Sequence, residues 1–430
     1  MRDQEMFDLV DMQSLRIGMY VDLGMGWLAH PFPTGSFKIS SLKQIEIIRG
    51  LGLQHVRVDA ARTDPVVVPP HLVAVPEPVP AASERALAAQ REQQIRSQRA
   101  EQLAAENRSL ALCEKRFGEA VRQYRRTLEQ MASQPKLAAQ QCQLLVGGMV
   151  GDITCDGEHA IRLLSEAAGD KSSMHPVNVT IVSLLLGKAM GLPQSDLVDL
   201  GMAAFLHDVG KAQLPDRVRW PEDNFSTAEY KLYQEHVAYS VQMACAMELN
   251  KGATLAIAQH HELFDGSGFP TRIKGDSMTV PARILALVNR YDNLCNPSRS
   301  AVALTPHEAL ALIFAQLKTR FDSAALSAFI RMMGVYPPGS VVQLIDDRYA
   351  MVVSVNSARP LKPRLVVYER GVSRHEAPIL DLEKTPNVGI RRSVKPSALP
   401  SAAMDFLAPR QRVCYYFEPV VDTQMAEAAS

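Results

Sequence analysis

The sequence predicts a mainly α protein: a helical bundle with a small α+β N-terminal domain, a long linker helix and a small β-rich C-terminal lobe. Three observations predict it. Between His175 and Asp292 apolar residues fall at helical spacing, at Ile181, Leu184, Leu185 and Met190, then at Leu197, Leu200, Met202 and Leu206. Residues 82–133 are rich in Ala, Glu, Gln and Arg, and Leu103, Leu110, Phe117, Tyr124 and Met131 recur every seven residues. From Gly339 onward the texture changes to short β-branched runs separated by Gly, Pro and Asp.

The first 64 residues read as the α+β domain. Leu15 to Val21 and His55 to Asp59 have strand character, and Ser40 or Ser41 caps a helix through Leu42, Ile45 and Ile48 that stops at Gly50 or Gly52. Nothing in this segment carries chemistry, so a packing or regulatory role is expected. Residues 65–81 hold Pro65, Pro69, Pro70, Pro76, Pro78 and Pro80. Proline fixes the backbone and removes donors, which makes this a semi-rigid linker and a domain boundary.

The long helix follows over residues 82–140. Its seven-residue repeat breaks upstream at Arg96, and the companion positions are mixed: Ala100, Val121 and Leu128 fit a seam, Asn107 and Glu114 do not. Two readings stay open, a homodimer through residues 103–131 or a helix packed on its own protein. Charges of both signs are too closely mixed here for a nucleic-acid-binding arm. The bundle spans 141–335, with Thr305-Pro306-His307-Glu308 resembling a helix start. Residues 336–430 form the β-rich extension, with strands expected at Val341 to Ile345, Ala350 to Val355 and Arg364 to Tyr368.

Composition bounds function. Lys plus Arg and Asp plus Glu both number 46, so no global field favours a nucleic acid polymer. The six cysteines show no CxxC pair, which argues against a disulfide framework and for a reducing compartment. Met1-Arg2-Asp3-Gln4-Glu5 opens no signal sequence, and no apolar run is long enough to span a membrane. A cytoplasmic protein is expected.

The chemistry lies between His175 and Asp292, a stretch that holds five of the eleven histidines: His175, His207, His236, His260 and His261. Several imidazoles and a carboxylate drawn from separate helices are what a divalent-metal hydrolase needs, and imidazole and carboxylate together suit Fe or Mn among others. In His207-Asp208-Val209-Gly210-Lys211 the imidazole can take one ion while the carboxylate reaches between two. Lys211, about one turn beyond Asp208, can set an ammonium over an anionic substrate. Two ions about 4 Å apart, a bridging hydroxide and a cationic clamp are the parts of an in-line attack on phosphorus.

The set His175, His207-Asp208-Val209-Gly210-Lys211, His236, His260-His261-Glu262 and Asp265-Gly266-Ser267-Gly268-Phe269-Pro270 resembles the HD-GYP family, a branch of the HD phosphohydrolases. The resemblance covers about residues 145–335, and the segment from Leu15 to Val21 looks like the uncharacterised domain that often precedes the family. It implies an HD-type bundle and a phosphodiesterase that hydrolyses the bacterial second messenger cyclic di-GMP to linear pGpG, GMP or both. His175, His207 and Asp208 would hold one metal, and His236, His260 and His261 the second, with Asp208 shared. Lys211 would bind the scissile phosphate, and diguanylate cyclase (GGDEF) domains are implied partners.

Three positions depart from the family pattern. Phe269 replaces the signature tyrosine, Asn289 stands where the last aspartate ligand is expected, and Lys171 occupies the place of a glutamate linked to a third metal. Asn289 offers a carbonyl oxygen without charge, and Lys171 points to two divalent ions. Asp265, Gly266, Gly268, Phe269 and Pro270 suit either a substrate lip or a plain tight turn. Arg283 and Arg290 suit phosphate, guanine or structural ion pairs, while Glu262 and Asp292 suit support of the ligands. The remaining histidines (His30, His55, His71, His159, His307 and His375) read as structural or exposed. Two other classes remain open: a metal-poor cyclic di-GMP receptor, and an HD hydrolase for another nucleotide.

Overall fold

The computed structural model describes residues 7–24, 32, 34–51, 53, 55–65, 81–155, 157–165, 171–221, 225–298, 303–377, 379–410 and 412–420, without the side chains of 81–88, 171 and 375. The proline-rich linker expected at 65–81 therefore falls almost wholly outside the described residues, as do His30 and His71. The chain divides into two compact units, residues 1–88 and 89–430.

In the first unit four strands, β1 (Phe7–Asp11), β2 (Tyr20–Asp22), β3 (Ser36–Lys38) and β4 (His55–Asp59), form an antiparallel sheet in the order β1-β4-β2-β3. Helix α1 (Leu42–Gly50) starts where Ser41 accepts from the Gln44 amide, as its sequence foretells. Ile45 and Ile48 bury one face of it with Val21, Ile39, Val56 and Val58. The strand expected from Leu15 is shorter than the sequence suggested. Gly18, at φ +92, turns the chain just before β2.

The second unit takes most of α2 (Ala81–Gln130), then α3 (Pro135–Thr154) and β5 (His159–Leu163). Then come α4 (Lys171–Ala189), α5 (Gln194–Leu206), a 3₁₀ turn at Val209–Gln213, α6 (Thr227–Ala246), α7 (Lys251–Gln259) and α8 (Val280–Cys295). Helix α9 (Pro306–Gln316), a 3₁₀ turn at Lys318–Arg320 and α10 (Ser323–Met333) close the bundle. Both α6 and α9 open on a full capping box, Ser226 with Glu229 and Thr305 with Glu308.

The seven-residue repeat of α2 is spent inside its own chain. Phe117, Tyr124 and Met131 are buried in one core with Cys142, Val146 and Phe205, and the Tyr124 and Phe205 rings meet edge-on at 5.4 Å. Leu110 packs partly against that core, and the described helix upstream of Leu103 is exposed. Phe117, Tyr124 and Met131 thus fit the second of the two readings, a helix packed on its own protein. A stripe every seven residues serves a helix lying on its own bundle as well as one facing a partner helix.

The C-terminal region is β-rich, as expected, and its sheet takes in one strand from the bundle region. β6 (Val341–Leu344), β7 (Tyr349–Asn356), β8 (Arg364–Val367), β9 (Ile379–Asp381), β10 (Ile390–Ser393) and β11 (Tyr415–Pro419) share their sheet with β5, in the order β10-β6-β7-β5-β11. β8 pairs the other edge of β7 and carries β9. β5 pairs β11 from Leu163↔Tyr415 to His159↔Pro419, and a short helix, α11 (Ser401–Leu407), precedes β11. Asn178 of α4 clamps this junction: its side-chain oxygen accepts from the Tyr415 amide at 2.8 Å and its amide nitrogen donates to the Val413 carbonyl at 3.3 Å. The sheet thereby fixes the start of α4, where the first candidate ligand stands. β5 was hidden in the sequence because Arg162 interrupts its apolar run; the structure buries that arginine against Glu106 and Glu418.

Candidate metal centre

Four of the five histidines are brought to one carboxylate. His207 caps the C-terminus of α5, and Asp208 follows at φ −105, ψ 4, turning the chain into the 3₁₀ segment at Val209–Gln213. Gly210 makes this turn feasible. A Cβ there would stand 2.2 Å from the His236 carbonyl oxygen and 2.4 Å from the Ser240 nitrogen, so only glycine lets the turn press onto α6. The Gly210 amide also donates to the Ser240 hydroxyl at 2.9 Å. His175 lies in the first turns of α4, His236 in the middle of α6, and His260 caps the C-terminus of α7.

The two oxygens of Asp208 face opposite pairs of rings. Oδ2 lies 3.6 Å from His175 Nε2 and 3.4 Å from His207 Nε2; Oδ1 lies 3.5 Å from His236 Nε2 and 3.7 Å from His260 Nε2. Within each pair the Nε2 atoms approach one another, His175 to His207 at 3.3 Å and His236 to His260 at 3.4 Å. His261 joins the second group, with one donor atom per residue all within 4.8 Å of one another.

The opposite ring nitrogens settle the tautomers. Nδ1 of His207, His236 and His260 sits 2.7, 2.5 and 2.6 Å from the carbonyls of Ala204, Tyr233 and Ile257. A carbonyl only accepts, so each Nδ1 carries the proton and each Nε2 presents a lone pair. His175 Nδ1 is held at 2.5 Å by Asp292 Oδ2, whose other oxygen accepts from Asn178 and, at 2.9 Å, from Asn296. This is the support a ligating imidazole receives from behind. Burial pushes the His236 ring down to about 3 and lowers His175 and His260, so these rings are neutral near neutral pH.

Burial alone would raise the Asp208 carboxyl, but the Lys211 ammonium at 2.6 Å and the neighbouring His207 hold it well below the usual range. Asp208 Oδ1 has no hydrogen-bond partner although it is buried. An ionised, buried oxygen without a donor, facing converging bare nitrogens, is stabilised only by a cation between them. The residues fit divalent metal, and imidazole with carboxylate suits Fe, Mn or Zn.

Beside the centre lies a cavity of about 560 Å³ whose lining includes Lys211, His260, His261, Phe269, Arg290 and Arg320. Phe269 stacks on the His261 ring at 4.5 Å, so the aromatic face survives the loss of the tyrosine hydroxyl. Gly268 is required for this fold of the lip: a Cβ there would meet the Leu263 nitrogen at 2.4 Å and the His261 carbonyl at 2.5 Å. Asp265 accepts from the amide and hydroxyl of Ser267, Gly266 takes φ +79, and the Phe269–Pro270 peptide is cis. Glu262 Oε1 gathers the amides of Thr271 and Arg272 and the Thr271 hydroxyl, closing the loop from beneath.

Other expected residues stand elsewhere. Arg283 is held by Asp276 at 2.9 Å and Asp322 at 3.3 Å and does not line the cavity. Asn289 does line it, and its side-chain oxygen accepts from Asn293 at 2.7 Å. Lys171 opens α4, with its side chain outside the described residues. His159 bonds the Asp152 carbonyl and His307 the Val335 carbonyl, both structural roles. Sequence reading missed Tyr233, Trp220, Asn178 and Arg320. Tyr233 and Trp220 place their rings 5.5 and 4.9 Å from the Lys211 ammonium, yet neither belongs to a motif.

Residues 158–325 match the family model for the HD domain, and residues 9–142 match a domain of unknown function, DUF3391. Over 399 residues the chain is 24% identical to a cyclic di-GMP phosphodiesterase of Pseudomonas aeruginosa, covering 88% of this chain and 89% of that one. A cyclic di-GMP phosphodiesterase of Borreliella burgdorferi is 21% identical over 51% of this chain and 59% of its own. A 3'3'-cGAMP-specific phosphodiesterase of Vibrio cholerae is 25% identical over 41% and 39%.

Proposed function

We propose that this member of the HD-domain family is a metal-dependent phosphodiesterase that hydrolyses cyclic di-GMP to linear pGpG, GMP or both. One observation carries the reading: the two oxygens of Asp208 serve two separate pairs of histidines whose bare Nε2 atoms converge. His175, His207 and Asp208 would hold one divalent ion, and Asp208, His236, His260 and His261 a second. Such ions supply Lewis acidity at phosphorus and a hydroxide nucleophile near neutral pH.

The chain's own residues do the rest. Asp292 and the carbonyls of Ala204, Tyr233 and Ile257 fix the ring orientations before substrate arrives, so little reorganisation accompanies the reaction. Lys211 turns its ammonium toward a cavity that also contains His260 and His261. There it neutralises charge on a phosphodiester oxygen as the bond to phosphorus forms. Trp220 and Tyr233 flank that ammonium and keep it from bulk water. The Phe269 ring closes the same wall.

The test is direct. Purified chain is analysed for metal, then incubated with cyclic di-GMP, and with 3'3'-cGAMP in parallel, in the presence of Mn or Fe or of chelator. The proposal expects metal-dependent loss of cyclic di-GMP with linear pGpG or GMP appearing. Tight binding without turnover would instead establish the receptor reading, which the neutral Asn289, already bonded to Asn293, favours. Turnover of the second nucleotide alone would reassign the substrate.

A further inference from the structure

The described lining of the cavity contains three cations, Lys211, Arg290 and Arg320, and no aspartate or glutamate. Arg290 projects from α8 and Arg320 ends the 3₁₀ turn that follows α9. Among the described residues no carboxylate comes within 4.0 Å of either guanidinium. Three other arginines of this unit are paired: Arg162 and Arg364 each meet Glu106 and Glu418, and Arg283 meets Asp276 and Asp322. The charge of Arg320 favours the ionised form of Asp265, whose carboxylate is already engaged by the Ser267 amide and hydroxyl. Partial withdrawal from water, and then the charge of Arg320, make the Arg290 guanidinium easier to deprotonate than usual.

Two like charges converging on one cavity wall without a counter-charge repel each other until an anion lies between them. One phosphodiester at Lys211 and the metal centre would leave this pair unneutralised. A neutral base could accept hydrogen bonds from a guanidinium but would not cancel two positive charges.

Resting on the phosphodiesterase reading, we propose that Arg290 and Arg320 form a second anion subsite that holds the non-reacting phosphodiester of a cyclic dinucleotide. Lys211 and the metal centre would take the phosphate that is cleaved. The pair selects ligands with two separated phosphates over simple diesters. Each guanidinium offers a planar fork that matches two phosphate oxygens, which an ammonium cannot do.

The experiment compares wild type with the double variant Arg290→Gln/Arg320→Gln in the full chain. Both side chains are exposed at the cavity mouth, so the fold should survive; thermal melting checks this. Cyclic di-GMP binding is measured by calorimetry in chelator, away from turnover. In metal-loaded protein, kcat/KM is compared for cyclic di-GMP and for bis(p-nitrophenyl) phosphate, which has one phosphate. Loss of two charge-assisted contacts should weaken cyclic di-GMP binding by about tenfold or more, with the substrate ratio falling by a similar factor. Arg290→Lys/Arg320→Lys should recover part of the loss. Unchanged affinity in the double variant, or an equal loss on both substrates, overturns the subsite. If wild type binds the nucleotide in an arginine-dependent way yet hydrolyses neither ester, the subsite stands and the phosphodiesterase reading falls. Wild type that binds no cyclic di-GMP overturns both.

Discussion

Lys211 Nζ lies 2.6 Å from Asp208 Oδ2, and both side chains are buried. The pair has two separable tasks, since the carboxylate also faces four imidazoles whereas the ammonium faces the cavity. Lys211→Ala should therefore keep the metal content of wild type and lose rate. A positioned charge on the developing phosphorane is worth on the order of a hundredfold in kcat, with a smaller change in KM. Metal analysis alongside steady-state kinetics checks this; loss of metal from the variant would show that Lys211 is a structural prop for the carboxylate.

Metal-free protein should lose stability in mild acid. The His236 ring titrates near 3 in the fold because it is buried, against an ordinary value of 6.5 once unfolded. Between those values the unfolded chain binds the extra proton, so stability is complete above about pH 6.5 and is lost as pH falls toward 3. The urea midpoint measured in chelator should decline steadily over that window, and His236→Gln should flatten the decline. An identical pH slope in wild type and variant would contradict the burial argument.

Asn289 stands in the cavity with a neutral oxygen bonded to Asn293. If Asn289 reaches the ion that His175 and His207 would hold, Asn289→Asp should tighten it, because a carboxylate binds a dication far more strongly than an amide oxygen. Titration with Mn should show that ion binding more tightly in the variant, with activity depending less on added metal. Identical titrations of the two proteins would mean that this position does not reach the metal.

The long helix should act as part of the core and not as an interface. Tyr124→Ala removes a buried ring packed on Phe205 and should cost about 3–5 kcal/mol. Leu103→Glu with Leu110→Glu should leave the oligomeric state seen by light scattering unchanged. A shift from dimer to monomer in that pair would restore the coiled coil.

Much of the centre was legible because its residues sit in short strings with unusual neighbours. His207-Asp208 with Gly210 and Lys211, and His260 next to His261, specify local turns whose geometry follows from the glycine and from the helix ends. His175 and His236 were legible by order alone, on helices. What escaped was whatever depends on tertiary contact. Tyr233 supports the site through its carbonyl and its ring, and a carbonyl carries no sequence signal. Arg320 reaches the cavity from a 3₁₀ turn some thirty residues beyond Arg290, and nothing local distinguishes it from Arg283, which is ion-paired. Two features of the fold lay beyond the sequence for the same reason. A heptad stripe does not say whose helix it faces, and β5 joins strands from the far end of the chain.

The central claim is that one carboxylate serves two ions, and metal content of Asp208→Ala against wild type tests it most directly. Both proteins are purified, loaded with excess Mn, freed of unbound metal and analysed per chain, with circular dichroism confirming the helical fold. The account predicts close to two ions per wild-type chain and a variant that loses metal at both positions together with its turnover of cyclic di-GMP. A folded Asp208→Ala protein that retains the wild-type metal content and turnover would contradict it.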